Sequence, residues 1–414
     1  MISHVIRLPR DGLWQNPDFM RLWGAQTLSA IGARFTREGL PIIAALTLDA
    51  SATDLGFLVA LSLLPGVLLS PFVGSWIDRT RRRRVLIMAD LLRAAVLATL
   101  PVMAWFDAIT IGQVMGVSAA VALFSMFFQT ADNAYLPTLV ERDQLLEGNA
   151  KLATTDSLAE IAGPALAGAA IQLLTAPLAI LFDALSYLWS AALLASIKRP
   201  EPPLVTGEHA PDLWRETGEG LRFVFSHPVL RPLTLCSAGV TFFLSFFAPL
   251  YVLFAVRDLG IQPGLLGVIV GLGGISALIG AQLAAWAGQR FPLRSLLIGT
   301  LLIYGLVICF IPLAQGPLWT AVLSLCIAQL LGDGLYVVFA TNATVLRQKV
   351  TPDAMRGREA GTLHLLTGGL GLVAALSAGF VADGIGIRTV LWFGTLGVAA
   401  ASLWLLALPR DIES

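Results

Sequence analysis

The stretch that decides the fold is Gly74-Ser75-Trp76-Ile77-Asp78-Arg79-Thr80-Arg81-Arg82-Arg83-Arg84. It separates two apolar segments, residues 55–77 and 85–106. Each is about as long as the ~20 residues that a helix needs to cross the ~30 Å hydrocarbon core of a bilayer. The five arginines belong in water. Because positively charged loops favour the cytoplasmic side, the stretch predicts a membrane protein with this turn in the cytoplasm.

The composition fits that reading. The chain has 414 residues, of which 56% are hydrophobic and 13% are charged, and its net charge is zero. A soluble protein carries about 25% charged residues. The balanced charge predicts no nucleic-acid partner, and the three cysteines lie in apolar segments without metal-ligand spacing. We therefore expect neither a metal site nor a cofactor.

The hydropathy pattern predicts an all-α polytopic protein with twelve transmembrane helices. The candidate spans are 20–48, 55–77, 84–106, 110–134, 152–174, 177–197, 229–255, 263–288, 293–314, 318–341, 359–382 and 387–408. With the N-terminus inside, 22 of the 27 Lys and Arg residues fall on the cytoplasmic side, and only Arg257 and Arg388 fall outside. This asymmetry predicts a multi-pass protein of the cell membrane with both termini in the cytoplasm.

A polar stretch, residues 198–228, divides the spans six and six. It includes an amphipathic run from Leu213 to Phe225, which predicts a short helix at the membrane surface. We therefore expect an N-terminal half (1–197), a cytoplasmic linker (198–228) and a C-terminal half (229–414). Matches at a shift of 210 residues, such as Trp76 with Trp286 and Asp143 with Asp353, indicate two parallel repeats. Such repeats are typical of transporters, with the substrate site between the halves.

Several motifs resemble those of the major facilitator superfamily across essentially the whole chain. The pattern Gly74-x3-Asp78-Arg79-x-x-Arg82-Arg83 resembles its signature between the second and third helices, although Arg81 stands where the family usually has glycine. Residues 162–168 resemble its glycine-proline antiporter motif, with Gly163, Pro164 and Gly168. Residues 183–187 and 346–358 are similar to the enterobactin-exporter and macrolide-efflux branch. The resemblance implies export by proton antiport, but span four lacks the arginine that many such antiporters carry.

The signature also implies a gate. The resemblance suggests that Asp78 faces the positive N-terminal end of span eleven and locks the cytoplasmic side shut, with Arg79, Arg82 and Arg83 around it. The alternative is that the charges serve only as a topology anchor.

Span one carries Arg34, Arg37 and Glu38 near mid-membrane. A charge at that depth costs ~2.5–3.5 kcal/mol on the insertion scale, so these side chains must face a cavity or a partner. They are candidates for proton coupling, and Arg34 and Arg37 could also meet an anionic substrate. The alternative is a structural ion pair between Arg34 and Glu38, which are four residues apart.

Span five carries Asp156 and Glu160 on one stripe with Gly163. Two acids one turn apart favour uptake of a proton, and the small residues allow a neighbouring helix to approach closely. Asp156 could instead be solvated near the membrane surface. We further predict that Arg34 reaches Glu160 and replaces the missing relay in span four.

Other polar and aromatic residues could line the substrate cavity. These candidates are Gln129, Asp132, Phe242, Phe246, Gln329, Asp333, Tyr336 and His364. For Asp132 the alternative is a solvated helix end, for His364 a helix-packing residue, and for the phenylalanines a lipid-facing position.

Together these features predict secondary active export of a small amphiphilic compound, such as an antibiotic or siderophore, in exchange for protons. The expected partners are the substrate, protons and the lipid bilayer, and the expected state is a monomer. An importer or facilitator of the same fold stays open. A membrane-embedded enzyme is the less favoured alternative, because the sequence offers no nucleophile set, metal cluster or phosphate loop.

Overall fold

The computed structural model describes residues 12–201 and 213–409, and in these ranges it contains helices and no β-strand. The α-helices are α1 (Pro17–Ile42), α2 (Ala52–Asp78), α3 (Arg82–Trp105), α4 (Ile111–Leu139), α5 (Leu145–Leu173), α6 (Ala176–Ser196), α7 (Leu213–Ser226), α8 (Leu230–Leu244), α9 (Phe247–Leu253), α10 (Pro263–Arg290), α11 (Leu293–Ile308), α12 (Phe310–Leu313), α13 (Leu318–Val350), α14 (Arg356–Ile385) and α15 (Ile387–Ala401). Two π-turns, Ile43–Thr47 and Phe254–Asp258, extend α1 and α9.

These helices form the twelve predicted spans. Consecutive helices combine into single spans over Leu230–Asp258, Leu293–Leu313 and Ile387–Ala407. Within the described ranges, ten spans are long and apolar enough to cross a membrane on their own. The two exceptions are α1 and α5, whose intramembrane charges lower their hydropathy. The chain is thus a multi-pass, all-α membrane protein, and the two exceptional helices are the ones that carry the predicted proton sites.

The two halves repeat with an offset of 211 residues. The π-turn at Phe254 lies 211 residues after that at Ile43, and α14 begins 211 residues after α5. The shift of 210 inferred from the sequence is therefore wrong by one residue. Isolated identities fix such a register poorly, whereas helix ends and turns fix it directly.

Each half packs mainly on itself, and the halves meet along two helix pairs, α5 with α10 and α2 with α14. Glycines make both contacts close. A Cβ on Gly56 would lie 2.8 Å from the carbonyl oxygen of Ala375, and one on Gly168 would lie 3.1 Å from the Cα of Gly267. Gly267 lies 211 residues after Gly56, so the two contacts are equivalent in the repeat. Small residues here allow the backbones of the two halves to touch.

Two equivalent caps join the halves at one end of the bundle. Asp383 of α14 accepts hydrogen bonds from the backbone N–H groups of Ala52 (3.1 Å) and Thr53 (3.0 Å), at the start of α2. Gln172 of α5 accepts one from the N–H of Gly264 (3.0 Å), at the start of α10. Each half therefore satisfies orphan donors at a helix N-terminus of the other half.

The bundle is closed at this end, which is the end opposite the arginine-rich turn. Arg257 forms an ion pair with Asp49 at 2.8 Å and also binds the carbonyl oxygen of Ala45 in the other half. At the arginine-rich end, a Cβ added to Gly74 of α2, or to Gly357 or Gly361 of α14, would meet no atom within 4 Å. At these glycines, α2 and α14 thus make no close contact with the described residues of the other half.

The predicted amphipathic helix is present as α7, and it packs on α14. Gly220 lies against the backbone of Arg358, and the Arg358 guanidinium pairs with Glu219 at 2.9 Å. His227 follows α7, and its Nδ1 accepts hydrogen bonds from the N–H groups of Val229 (3.2 Å) and Leu230 (3.3 Å). Burial lowers the pKa of His227, which favours the neutral imidazole that this cap requires.

Candidate functional site

A cavity of about 610 Å³ lies between the halves. Both halves contribute to its wall, which includes Thr36, Arg37, Glu38, Ser62, Ser125, Tyr187, Phe247, Tyr251, Tyr304, Gln329 and Asp333. Hydroxyl, amide and carboxyl groups are interspersed with aromatic rings. Such a wall suits a ligand that has both apolar and polar parts.

An ion-pair cluster joins α1 to α5 beside this central cavity. Arg34 NH2 lies 2.5 Å from Glu160 Oε2, and Arg37 NH1 lies 3.6 Å from Glu160 Oε1. The Arg34 side chain is 16% exposed and that of Glu160 is 48% exposed, so the carboxylate is paired and still accessible. The predicted contact between Arg34 and Glu160 is therefore formed, and the alternative pairing of Arg34 with Glu38 is not.

The glycine-proline motif has two physical roles. The Arg34 side chain lies directly on Gly163, where a Cβ would collide with its Cγ. One turn on, the Pro164 carbonyl and Gly168 form the contact with Gly267 of α10. The motif thus makes room for the ion pair and for the interface between the halves. Asp156 is exposed one turn before Glu160.

Two further carboxyl groups face the central cavity from opposite halves. Glu38 of α1 and Asp333 of α13 both belong to its wall, and neither has a hydrogen-bond or ion-pair partner within the part of the chain that the structure describes. Gln329 lies one turn before Asp333 in the same wall. These groups can meet a substrate or a proton directly.

The remaining cavity candidates are placed elsewhere. Gln129 is exposed, and Asp132 accepts a hydrogen bond from Gln26. Phe242 and Phe246 pack against each other with tilted rings whose centroids are 5.2 Å apart, while Phe247 occupies the cavity wall. Tyr336 and His364 line a second cavity of about 330 Å³ between α8, α13 and α14. A small rotation of a helix determines which of its side chains face the central cavity.

Two arginines of the signature turn bind helix ends in the same half. Arg83 donates from Nε to the carbonyl oxygen of Leu194 (2.8 Å) at the end of α6, and Arg82 donates to that of Ala134 (3.2 Å) in α4. Arg79 is exposed. A guanidinium at a helix C-terminus is stabilising. The side chain of Asp78 lies outside the described residues, so its gating role stays a prediction.

Sequence reasoning missed two buried ion pairs. Asp90 and Arg93 pair inside α3, and Arg347 of α13 lies 3.7 Å from Glu359 of α14. It also missed the fully buried Asp183, which accepts hydrogen bonds from Thr36 and Ser186. The spacing of Asp90 and Arg93, three residues apart in an apolar segment, was the available signal for the first pair.

Two repeated helical halves around a polar cavity are the architecture of a membrane transporter. The model of the Major Facilitator Superfamily matches residues 22–358. The chain belongs to this superfamily, as its motifs predicted, and it is accordingly a transporter rather than an enzyme.

Similar proteins of known name include efflux pumps. The chain is 27% identical to the multidrug efflux pump Tap of Mycolicibacterium fortuitum over 381 residues, which cover 87% of this chain and 88% of that protein. It is 26% identical to macrolide efflux protein A of Streptococcus pyogenes over 237 residues, which are 57% of each chain.

Solved structures confirm the fold. A bacterial homologue of the iron transporter ferroportin in its inward-facing state superposes with a TM-score of 0.76 at 19% identity, covering 94% of this chain and 98% of that chain. The outward-facing state of a bacterial ferroportin homologue gives a TM-score of 0.58 at 21% identity, with the same shares covered.

Proposed function

We propose that this transporter exports a small amphiphilic compound in exchange for protons, by alternating access of the central cavity to the two sides of the membrane. The observation that carries the proposal is the half-exposed carboxylate of Glu160, which pairs with two arginines of α1. The names of the similar efflux pumps favour export over import.

Glu160 is suited to exchange protons because it is both paired and accessible. Binding of a proton neutralises the carboxylate and releases Arg34 from its partner. A Cβ on Gly274 of α10 would lie 3.1 Å from the Glu160 carbonyl oxygen, so the charge changes where α5 and α10 meet. A change of charge at the contact between the halves can alter their relative stability in the two conformations. Glu38 and Asp156 are further acids in reach of this exchange.

The distribution of charge supports a location in the cell membrane with both termini in the cytoplasm. In this orientation, the arginine-rich end is cytoplasmic and the conformation described above is inward-facing, ready to collect substrate from the cell. The chain acts as a monomer in the bilayer, with halves 1–197 and 229–414 joined by the linker 198–228.

Reporter fusions test this orientation. Reporters placed after Asp107, Gln315 and Gly384 are expected outside the cell, and reporters after Thr80 and Asp353 inside, because positive charge favours the cytoplasm. The measurement compares alkaline phosphatase with green fluorescent protein at each position. Cytoplasmic signals at two of the three outer positions would contradict the topology.

Drug accumulation tests the direction of transport. Expression in a strain that lacks its own exporters is expected to lower the cellular level of at least one compound in a panel of antibiotics and siderophores that includes a macrolide. The matched control is the Glu160→Gln variant at equal membrane abundance. Increased accumulation of a compound would instead indicate an importer of the same fold.

A further inference from the structure

A second charged cluster lies inside the first half, between α1, α3, α4 and α6. Asp90 and Arg93 of α3 form an ion pair, and Asp183 of α6 is a neighbouring acidic residue. Asp90 and Asp183 are 0% exposed and Arg93 is 5% exposed. Proton exchange at Glu160 does not involve any of these groups.

The cluster has more acidic than basic groups. Arg93 lies between the rings of Phe128 (4.3 Å) and Tyr187 (4.0 Å) and stays charged. Two ionised carboxylates beside it would leave one uncompensated negative charge in a buried site, which is strongly unfavourable. The groups that face the cluster do not offset that charge. They are the carboxyl group of Asp132 on α4, with Asp156 of α5 behind it, the phenol of Tyr187 on α6 and the hydroxyl of Thr36 on α1.

The hydroxyl groups around the two carboxyl groups supply few donors. Thr36 donates to Asp183 Oδ2, and the single hydroxyl hydrogen of Ser186 is shared between the Asp183 carbonyl oxygen at 2.8 Å and Asp183 Oδ1 at 3.2 Å. Asp90 accepts from Arg93 on Oδ1, and the Ser190 hydroxyl lies beside this carboxyl group. One proton held between Asp90 and Asp183 supplies a further donor and leaves a single carboxylate beside Arg93.

We propose that Asp90 and Asp183 together hold one exchangeable proton and that the cluster of Asp90, Arg93 and Asp183 is a second proton-coupling site of the transporter. This inference rests on the proposed proton antiport. In the step itself, the O–H bond of the protonated carboxyl group breaks, the proton passes to water in the central cavity, and Arg93 then lies beside two carboxylates.

The cluster is one layer of side chains away from the central cavity. Thr36 donates to Asp183, Ser125 accepts from Arg93 at 3.3 Å, and the Tyr187 ring lies on Arg93. All three residues also belong to the cavity wall. A substrate in the cavity therefore touches the groups that orient the cluster, which links occupancy of the cavity to release of the proton.

Infrared spectroscopy of the full-length protein in lipid vesicles tests whether the pair of Asp90 and Asp183 holds a proton at neutral pH. We expect the C=O stretching band of protonated carboxyl groups to lose a component in Asp90→Asn but not in Glu160→Gln. Thr395→Val is the control, because this buried hydroxyl bonds only within its own helix α15. An unchanged band in both Asp90→Asn and Asp183→Asn overturns the proposal.

Transport assays in the same vesicles test coupling, with a macrolide as the probe. We expect a pH difference to accelerate transport by the wild-type protein and by Thr395→Val. In Asp90→Asn this acceleration should disappear, while exchange of the macrolide at equal pH persists. If Asp90→Asn does not fold, Thr36→Val replaces it and should weaken the acceleration.

The two possible failures are distinguishable. Full acceleration in the folded Asp90→Asn protein, or in Thr36→Val when Asp90→Asn does not fold, overturns the coupling role of the cluster alone. A wild-type protein that transports the macrolide without any response to the pH difference overturns proton antiport, and the coupling role of the cluster with it.

Discussion

Replacing Gly379 by alanine is expected to shift the transporter out of the conformation described above and to slow transport strongly. A Cβ at this position would lie 2.6 Å from the carbonyl oxygen of Ala52 and 2.9 Å from the Cα of Thr53. Both are backbone atoms at the start of α2, so the contact cannot be relieved by rotation of a side chain. Overpacking of this kind costs about 1–3 kcal/mol. That cost applies only while the halves touch at this end.

A cost of about 1–3 kcal/mol changes the ratio of two conformations by about 5- to 150-fold. Spin labels at positions 107 and 315 report the distance across the closed end, and we expect that distance to increase in Gly379→Ala. The matched control is Gly369→Ala on the same helix, because a Cβ there meets no atom within 4 Å. Equal distance distributions in the two variants would contradict the role of this contact.

Replacing Glu160 by glutamine is expected to abolish transport driven by a pH difference while leaving the protein in the membrane. The carboxylate is 48% exposed, so solvent screens its pairing with Arg34 and the loss of stability should be small. The function depends on a group that can bind and release a proton, which an amide cannot do. Glu141→Gln, at an exposed position between α4 and α5, is the control for the same chemical change.

The measurement is transport of a macrolide with and without a pH difference in reconstituted vesicles. Arg34→Gln should also lose transport driven by a pH difference, because Arg37 is then the one close partner on α1 that Glu160 keeps. If Glu160→Gln still transports against a gradient whereas Glu38→Gln does not, then Glu38 is the proton carrier.

The fold could be predicted from the sequence because the spans are long and the charges between them are concentrated. The errors lie at helix ends. Span five was predicted from 152, whereas α5 begins at Leu145, and span ten was predicted to end at 341, whereas α13 ends at Val350. Helices continue into water beyond the hydrocarbon core, and hydropathy detects only the part inside it.

Depth alone was sufficient to predict the contact of Arg34 with Glu160, since both lie at similar heights on neighbouring helices. The caps made by Asp383 and Gln172 could not be predicted in this way. They join residues far apart in the sequence, and their formation depends on how the halves lean on each other. Likewise, Phe247 rather than Phe246 faces the cavity because of the rotation of one helix, which no apolar pattern in a mostly apolar segment can specify.

The most direct test of proton-driven export is the uptake of a macrolide by everted membrane vesicles that contain the transporter. In such vesicles the lumen corresponds to the outside of the cell. We predict that acidifying the lumen drives macrolide uptake, that macrolide entry raises the luminal pH, and that an ionophore which collapses the pH difference stops both. Uptake that is insensitive to the pH difference, or that requires an alkaline lumen, would contradict the account.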